Sequence, residues 1–442
     1  MKIKPKIGII FTSLEGADLD QDKLINLKEE VVRKFKILDL DKIYIDFFVA
    51  NERNAKKANR ILKESNLDVI CLIVGIWTAD SIVLSLIENL DLPIIVFTTS
   101  INIRTFGLDG ALLVSATLKD HNYNYKFIFG DIGDRKVLNK IYDYTLASAV
   151  VNKLRGSRIA LVGYRPRIMA NLVADETSIK KIFGTTIVPI GFDELSTYLK
   201  RVNKKDINKK YNEIINSVGK IEVKRDVILD SISYYYAFLG MLDEFELDIF
   251  AINCFPNLFG KVCLALSNLN DIGITSSCEG DVKSAIAMFA LKLISGRASL
   301  NTDIAIEDEK ENAMIFTHCG SGPFTFAKNL KDITFKEEYE NKTGLAVCYP
   351  VKSNNEDITI VNLVGINQNY RMCVLHGKSI LLEKLIYPGN PIKIKFKNDI
   401  KDIINRIGND GFGHHWMVAY GNHSQVLNDF CSLLKIKFLS LD

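Results

Sequence analysis

Val69-Ile70-Cys71-Leu72-Ile73-Val74-Gly75 is an unbroken apolar run, rich in β-branched residues and closed by a glycine. A run with no polar side to turn toward water reads as a strand buried on both faces, the kind found in parallel sheets covered by helices. The flanking chain agrees. Lys6 to Phe11, Lys42 to Val49 and Leu92 to Thr98 read as further strands, and Asp20 to Phe35 and Ala55 to Glu64 as amphipathic helices between them. Strands alternating with helices imply an α/β domain of the flavodoxin-like or Rossmann-like kind over residues 1–150. No Gly-x-Gly-x-x-Gly turn follows the first strand, which argues against a dinucleotide site.

A second cycle begins after Gly156. Arg158 to Val162 reads as a strand running into Gly163-Tyr164-Arg165-Pro166-Arg167-Ile168-Met169, followed by strands at Thr186 to Ile190 and Asp248 to Asn253 and a helix at Asp193 to Val202. A helix from Gly280 to Ile294, closed by Ser295-Gly296, ends a second α/β domain over 151–297. From Ser299 the texture changes to strands and turns: Ala313 to Thr317, Leu345 to Tyr349, Asp357 to Leu363, Tyr370 to Lys378 and Ile392 to Phe396, with a turn at Pro388-Gly389-Asn390. The expectation is a β-rich, barrel-like C-terminal domain over 298–442, finished by a helix, Ser424 to Leu434, and a strand, Ile436 to Leu441.

Composition excludes several function classes. The 442 residues carry 56 basic and 53 acidic side chains, a net charge of only +3, and no basic block is interleaved with aromatics, so no nucleic-acid partner is expected. The longest apolar run, Val69 to Trp77, is far short of the roughly 20 residues that span a bilayer. The start, Met1-Lys2-Ile3-Lys4-Pro5-Lys6, has no long apolar core of a signal peptide, and a cytoplasmic protein is expected. The eight cysteines are scattered without a Cys-x-x-Cys pair, which reads as buried thiols rather than a zinc knuckle or redox motif.

Carboxylates and imidazoles stand beside Gly, Ser or Asn at the edges of apolar segments: Glu279 and Asp281 in Ser276-Ser277-Cys278-Glu279-Gly280-Asp281, Asp303 in Asn301-Thr302-Asp303, His318-Cys319-Gly320, and Gly413-His414-His415-Trp416. These are the donor types a divalent-metal site needs. Each has a plainer reading. Ser276 to Glu279 fits a capping box, Asp281 suits the first turn of a helix, Asp303 a turn, and His318 the end of a strand. The His doublet is harder to explain structurally, because two glycines just before it let the backbone turn sharply. Adjacent side chains diverge in a strand, so one His is expected to be a ligand and the other to contact substrate.

Ser277-Cys278-Glu279-Gly280-Asp281, the apolar helix, Leu293-Ile294-Ser295-Gly296 and Asp303 together resemble the L-fucose isomerases, and the His414-His415 doublet looks more like the L-arabinose isomerases. The resemblance covers the whole chain in architecture and is sharp from about residue 275 onward. It implies an aldose-ketose isomerase with Mn²⁺ or another divalent cation, in which Glu279 and Asp303 are paired metal ligands that also move protons. His415 is a further ligand and His318 another. His414, Trp77, Met169 and Trp416 contact substrate, Trp77 walling a neighbouring subunit's pocket in a homo-oligomer, hexameric by resemblance. The first-strand loop, Thr12-Ser13-Leu14-Glu15-Gly16, has neither the Arg of the fucose enzymes nor the Gln of the arabinose enzymes, so L-fucose, D-arabinose and L-arabinose all stay open as substrates.

The residues fit that chemistry on their own terms. A cation held by two carboxylates and an imidazole stabilises a cis-enediolate as a Lewis acid, and two carboxylates across C1 and C2 serve as base and acid. The same donors also suit a metal-dependent hydrolase or lyase acting on a carbohydrate. Two α/β domains would also suit a non-catalytic sugar-binding protein. Cys319 beside His318 is a third alternative, as a nucleophile.

Overall fold

A computed structural model describes residues 3–15, 21–100, 105–338, 344–382 and 389–441 of the chain. Asp20, Gly16 and Pro388, which enter the expected first helix, first-strand loop and turn, lie outside them, as do Met1 and Lys2. Packing divides the chain into two compact units, Ile3–Asn152 with Gln425–Leu433, and Lys153–Ser424 with the residues from Leu434.

In the first unit, among the described residues, five strands form a parallel sheet: β1 (Lys6–Phe11), β2 (Asp41–Tyr44), β3 (Val69–Val74), β4 (Ile94–Thr98) and β5 (Tyr125–Phe129), in the order β2-β1-β3-β4-β5. The apolar run Val69–Val74 is central and buried at every position, as a strand with no polar face must be. β2 is shorter than the expected strand because Asp46, Phe47 and Phe48 leave the sheet and Val49 returns as a single bridge to Thr12. The helix Glu52–Glu64 starts at Asn51, whose side chain accepts from the Asn54 N–H, and buries Ala55, Ala58 and Leu62 at helical spacing against the sheet. The late helix Ser424–Leu434 supplies Gln425–Leu433 to this unit, where Asp429 pairs with Lys126 on β5 and Asn124 donates to the Leu433 carbonyl at 3.3 Å.

The second unit begins with a parallel sheet of β6 (Arg158–Val162), β7 (Thr186–Ile190), β9 (Ile249–Ile252) and β10 (Thr275–Ser277) in the order β10-β9-β6-β7; β8 (Lys220–Ile221) lies apart from it. The remaining strands are β11 (Leu300–Asp308), β12 (Ala313–Thr317), β13 (Thr334–Glu337), β14 (Leu345–Cys348), β15 (Asp357–Ile366), β16 (Asn369–Ile380), β17 (Ile392–Lys395), β18 (His415–Tyr420) and β19 (Lys437–Ser440). Six of them run β15-β18-β11-β12-β17-β16, and β16 pairs back onto β15, so the antiparallel ring is closed; β19 adds to β16 in parallel, and β13 and β14 pair outside the ring. Closure removes exposed strand edges.

Phe316, Ile358, Ile360, Leu375, Trp416 and Val418 fill the ring, and the same core continues through Ile214, Val218, Ile228, Ile232 and Leu264 from the helical part. β8 pairs with β13. Part of residues 151–297 therefore packs into the barrel core, while the sheet β10-β9-β6-β7 keeps a core of its own around Ala160, Val162, Phe238 and Phe250. The helix Val282–Ser295 packs against β9 and β10 on one side and β11, β15 and β18 on the other, which is why it is apolar nearly all round. Its first turn faces the barrel strands that carry the candidate site. No helix among the described residues is long and apolar enough to cross a membrane.

Candidate active site

Three adjacent barrel strands bring the acids and imidazoles to one level. Asp303 on β11 stands opposite His415 on β18 and opposite Thr317 on β12, and His318 follows immediately. Directly opposed residues of an antiparallel pair share a face, so Asp303 and His415 point together toward the helix Val282–Ser295. Glu279 reaches the same place from the turn before that helix. It sits at φ +60, a left-handed conformation uncommon for a residue with a side chain, and Gly280 follows at φ +61. A Cβ on Gly280 would stand 2.3 Å from the Tyr164 carbonyl oxygen, so glycine is required for the close approach of that loop.

His415 Nε2 lies 3.3 Å and His414 Nε2 3.5 Å from Glu279 Oε2, while His318 Nε2 lies 3.8 Å from Glu279 Oε1 and 3.9 Å from Asp303 Oδ2. Glu279 Oε2, Asp303 Oδ1, His318 Nε2 and His415 Nε2 are all buried, and none makes a hydrogen bond. Leaving one such atom unpaired costs about 1–3 kcal/mol, so four facing one another call for an occupant. Donor atoms of Glu279, His318 and His415 lie within 4.8 Å of one another, as do those of Asp303, His414 and His415. Carboxylate and imidazole donors in two overlapping sets that share His415 are of the types that hold a divalent cation.

The electrostatics say the same. Burial works to raise the Glu279 pKa, but the imidazoles of His414 and His415 facing it and the positive charge of His415 and His318 outweigh that and hold it well below the usual carboxylate range. Burial works to lower the pKa of His415, yet Asp281 and Glu279 on its two sides push it well above the ordinary value. A site that draws an extra proton onto an imidazole between two carboxylates is short of positive charge. A cation there would supply that charge instead.

His415 is oriented from behind. Its Nδ1 stands 2.9 Å from Asp281 Oδ2, which leaves Nε2 aimed at Glu279. Asp281 is itself pinned: it caps the helix by accepting from the Lys283 and Ser284 N–H groups and accepts the Ser284 hydroxyl at 2.6 Å. Burial raises its pKa, and the His415, Lys283 and Ser284 contacts overcome that and bring it down to about 2. A carboxylate behind a ligating His fixes its tautomer.

The structure brings together Glu279, Asp303, His318, His414 and His415. It does not bring Trp416 there: that ring alternates to the opposite face of β18 from His415 and lies 1% exposed in the barrel core. Met169 is half-buried and caps the short 3-10 turn Ala170–Leu172, whose residues line a cavity of about 670 Å³ together with His414, His415 and Asp281. Trp77 is in the first unit and donates to Asp109. The doublet does not diverge as two strand residues would. His414 precedes the first residue of β18, so its ring centroid comes within 4.1 Å of that of His415 and both face Glu279.

Three further readings change on the fold. Ser276 is in β10 with its hydroxyl directed at the Leu266 carbonyl, and Asp281 caps the helix, so no Ser276–Glu279 capping box forms. The contact with Cys263, together with burial, holds the Cys319 thiol well above the ordinary pKa, which removes it as a nucleophile. Asp281, read from sequence as a first-turn acid, proves to be the brace behind His415. Asn362 was missed; its amide donates to the Gly413 and His415 carbonyls at 3.0 and 2.6 Å and holds the doublet's backbone.

Comparison with known proteins matches most of the chain. No family model matches it. The sulfoquinovose isomerase of Priestia aryabhattai is 22% identical over 393 residues, 85% of this chain and 86% of the relative. That of Alkalicoccus urumqiensis is 19% identical over 366 residues, covering 80% and 82%. The L-arabinose isomerase 2 of Clostridium acetobutylicum is 25% identical over 346 residues, covering 74% and 70%. The chain's relatives are fucose/arabinose isomerase-like enzymes. The resemblance seen in the acidic segment and the His doublet thus extends well beyond those motifs.

Proposed function

We propose that this isomerase interconverts the aldose and ketose forms of a free sugar and depends on a divalent cation, Mn²⁺ by resemblance. The observation that carries the reading is the set of four buried, unpartnered donor atoms on Glu279, Asp303, His318 and His415. Those four residues would hold the cation, which when bound supplies Lewis-acid stabilisation of negative charge on the substrate oxygens. The chain's own groups do the rest. Glu279, kept ionised, takes the proton from the carbon beside the carbonyl and passes it to the carbonyl oxygen, while Asp303, whose side chain is 40% exposed, takes the neighbouring hydroxyl proton and delivers it to the former carbonyl carbon, so both carboxylates are regenerated. One carbon-bound hydrogen and one hydroxyl hydrogen change places, with no net oxidation. His414, with 41% of its side chain open, holds a sugar hydroxyl.

The same reading keeps a homo-oligomer, hexameric by resemblance, with Trp77 offered to a neighbouring subunit's pocket. Phe106, Leu108 and Leu112 near its partner Asp109 are exposed apolar side chains suited to such a contact. The substrate is an L-fucose, D-arabinose or L-arabinose type aldose, with sulfoquinovose added by the relatives' names. Conversion of that panel with Mn²⁺ and after EDTA tests the proposal. Ketose formed with metal and abolished by chelation is expected; conversion unaffected by chelation, or tight metal binding without turnover of any sugar, refutes it.

A further inference from the structure

Lys283 is 5% exposed, and no step of the proposed reaction uses it. A buried ammonium costs several kcal/mol, in rough terms, unless it is paired and hydrogen-bonded. Here the Nζ donates to the Asn171 carbonyl at 2.8 Å and the Val173 carbonyl at 3.0 Å, and the nearby Asp281 carboxylate supplies the opposite charge. Asn171 and Val173 end the loop that leaves β6 at Gly163 and carries Met169. Its other end is seated where Tyr164 meets Gly280. The loop therefore meets this segment at two points, Gly280 within the Glu279–Asp281 turn and Lys283 just after it.

The cavity of about 670 Å³ beside His414 is walled by this arrangement. Its two cations are committed to backbone carbonyls: Lys283 as above, and Arg371 through Nε to Asp410 at 3.2 Å and Nη2 to Gly411 at 2.8 Å. These two side chains act as braces between loops rather than as donors open to an anion.

We propose that Lys283 is a positioning residue for the site, tying the Gly163–Val173 loop to the first turn of the helix whose cap, Asp281, orients His415. Its charge lies near Asp281, the carboxylate behind His415, and through the two carbonyls it holds Met169 and its neighbours beside the sugar. The inference rests on the metal reading above.

Lys283→Met removes the charge and the donors while keeping an unbranched chain only one heavy atom shorter. In a K283M protein shown folded by its thermal transition, the Mn²⁺ dissociation constant, measured by calorimetry, is expected to rise roughly 10–100-fold, as for other groups behind a metal ligand. The Met169, Leu172 and Val173 amides, bonded within the loop to Pro166, Met169 and Ala170, are expected to exchange hydrogen at least tenfold faster, with the β11 and β12 amides unchanged. A lysine that only filled space would lower the melting temperature and leave both readouts alone. Wild-type Mn²⁺ affinity or wild-type loop exchange in folded K283M overturns the proposal. If K283M does not fold, K283Q is read in the same way. If the wild-type chain takes up no divalent cation, the metal reading itself has failed, and loop exchange alone then decides the role of Lys283.

Discussion

Asp281→Asn isolates what the carboxylate behind His415 contributes. The replacement is isosteric, and Asn serves as a helix N-cap about as well as Asp, so capping of Val282–Ser295 changes by only a few tenths of a kcal/mol. What changes is the partner of His415 Nδ1, now 2.9 Å from Asp281 Oδ2. With the Asn oxygen kept by the Lys283 and Ser284 N–H groups, the amide nitrogen faces Nδ1 and donates to it. His415 must then accept at Nδ1 and carry its proton on Nε2, the atom aimed at Glu279 and needed bare to bind a metal. The loss expected for such a change is about 10–100-fold in metal affinity, equivalent to about 1.4–2.8 kcal/mol. The lost charge-assisted bond should also reduce stability by about 1.5–3 kcal/mol. Calorimetric titration of the metal-free protein with Mn²⁺, alongside urea unfolding, measures both. A D281N protein that binds Mn²⁺ within about threefold of wild type would refute the reasoning, because the tautomer would then not depend on Asp281.

Glu279→Gln should keep the fold and cut turnover by at least about 100-fold, since it removes the proton acceptor; full activity with metal bound, in a coupled ketose assay, would exclude Glu279 from the chemistry. Gly280→Ala forces a side chain into φ +61 and a Cβ within 2.3 Å of the Tyr164 oxygen. Left-handed strain plus overpacking predicts a loss of about 3 kcal/mol in urea unfolding, and a change under 0.5 kcal/mol, below about a sixth of that figure, would mean the loop gives way. Asp143 is a pH probe remote from these residues in sequence. Burial, then the charge of Asp429, push its pKa up to about 6, against the pull of Lys126. A folded pKa above the unfolded one contributes stability that is full below the ordinary carboxylate range and is lost as pH rises through 6. Asp143→Asn should therefore stabilise the protein by about 1 kcal/mol at pH 8, discounted because the group is only half-buried, and flatten the stability profile between pH 4 and 7. Equal profiles for the two proteins would show that Asp143 titrates normally.

Much of this protein was legible because it depends on near neighbours in the chain. Val69–Val74 has no polar face, so it is a central buried strand whatever surrounds it. Gly296 ends the helix in the left-handed conformation that glycine adopts without cost. The acids and imidazoles of the site were recognisable by type and by the glycines beside them. Their roles were harder. Glu279 looked like a helix cap because the local spacing fits one, and Trp416 looked like a site residue because it adjoins His415, whereas strand alternation buries it in the barrel.

Tertiary structure decided what spans long separations. Whether Asp303 faces His415 depends on the register of β11 against β18, set by the barrel's closure and not by either segment alone. Asp281 and His415 are 134 positions apart, and Lys283 reaches carbonyls 110 and 112 positions away, so neither brace has a local signature. The shifts in proton affinity at Glu279 and His415 arise from burial and from charges carried by distant segments, which exist only once the barrel has closed against the helix Val282–Ser295. Sequence determined which chemical groups were available and the elements that carry them; folding determined which of them meet, because strand register and desolvation belong to the assembled core.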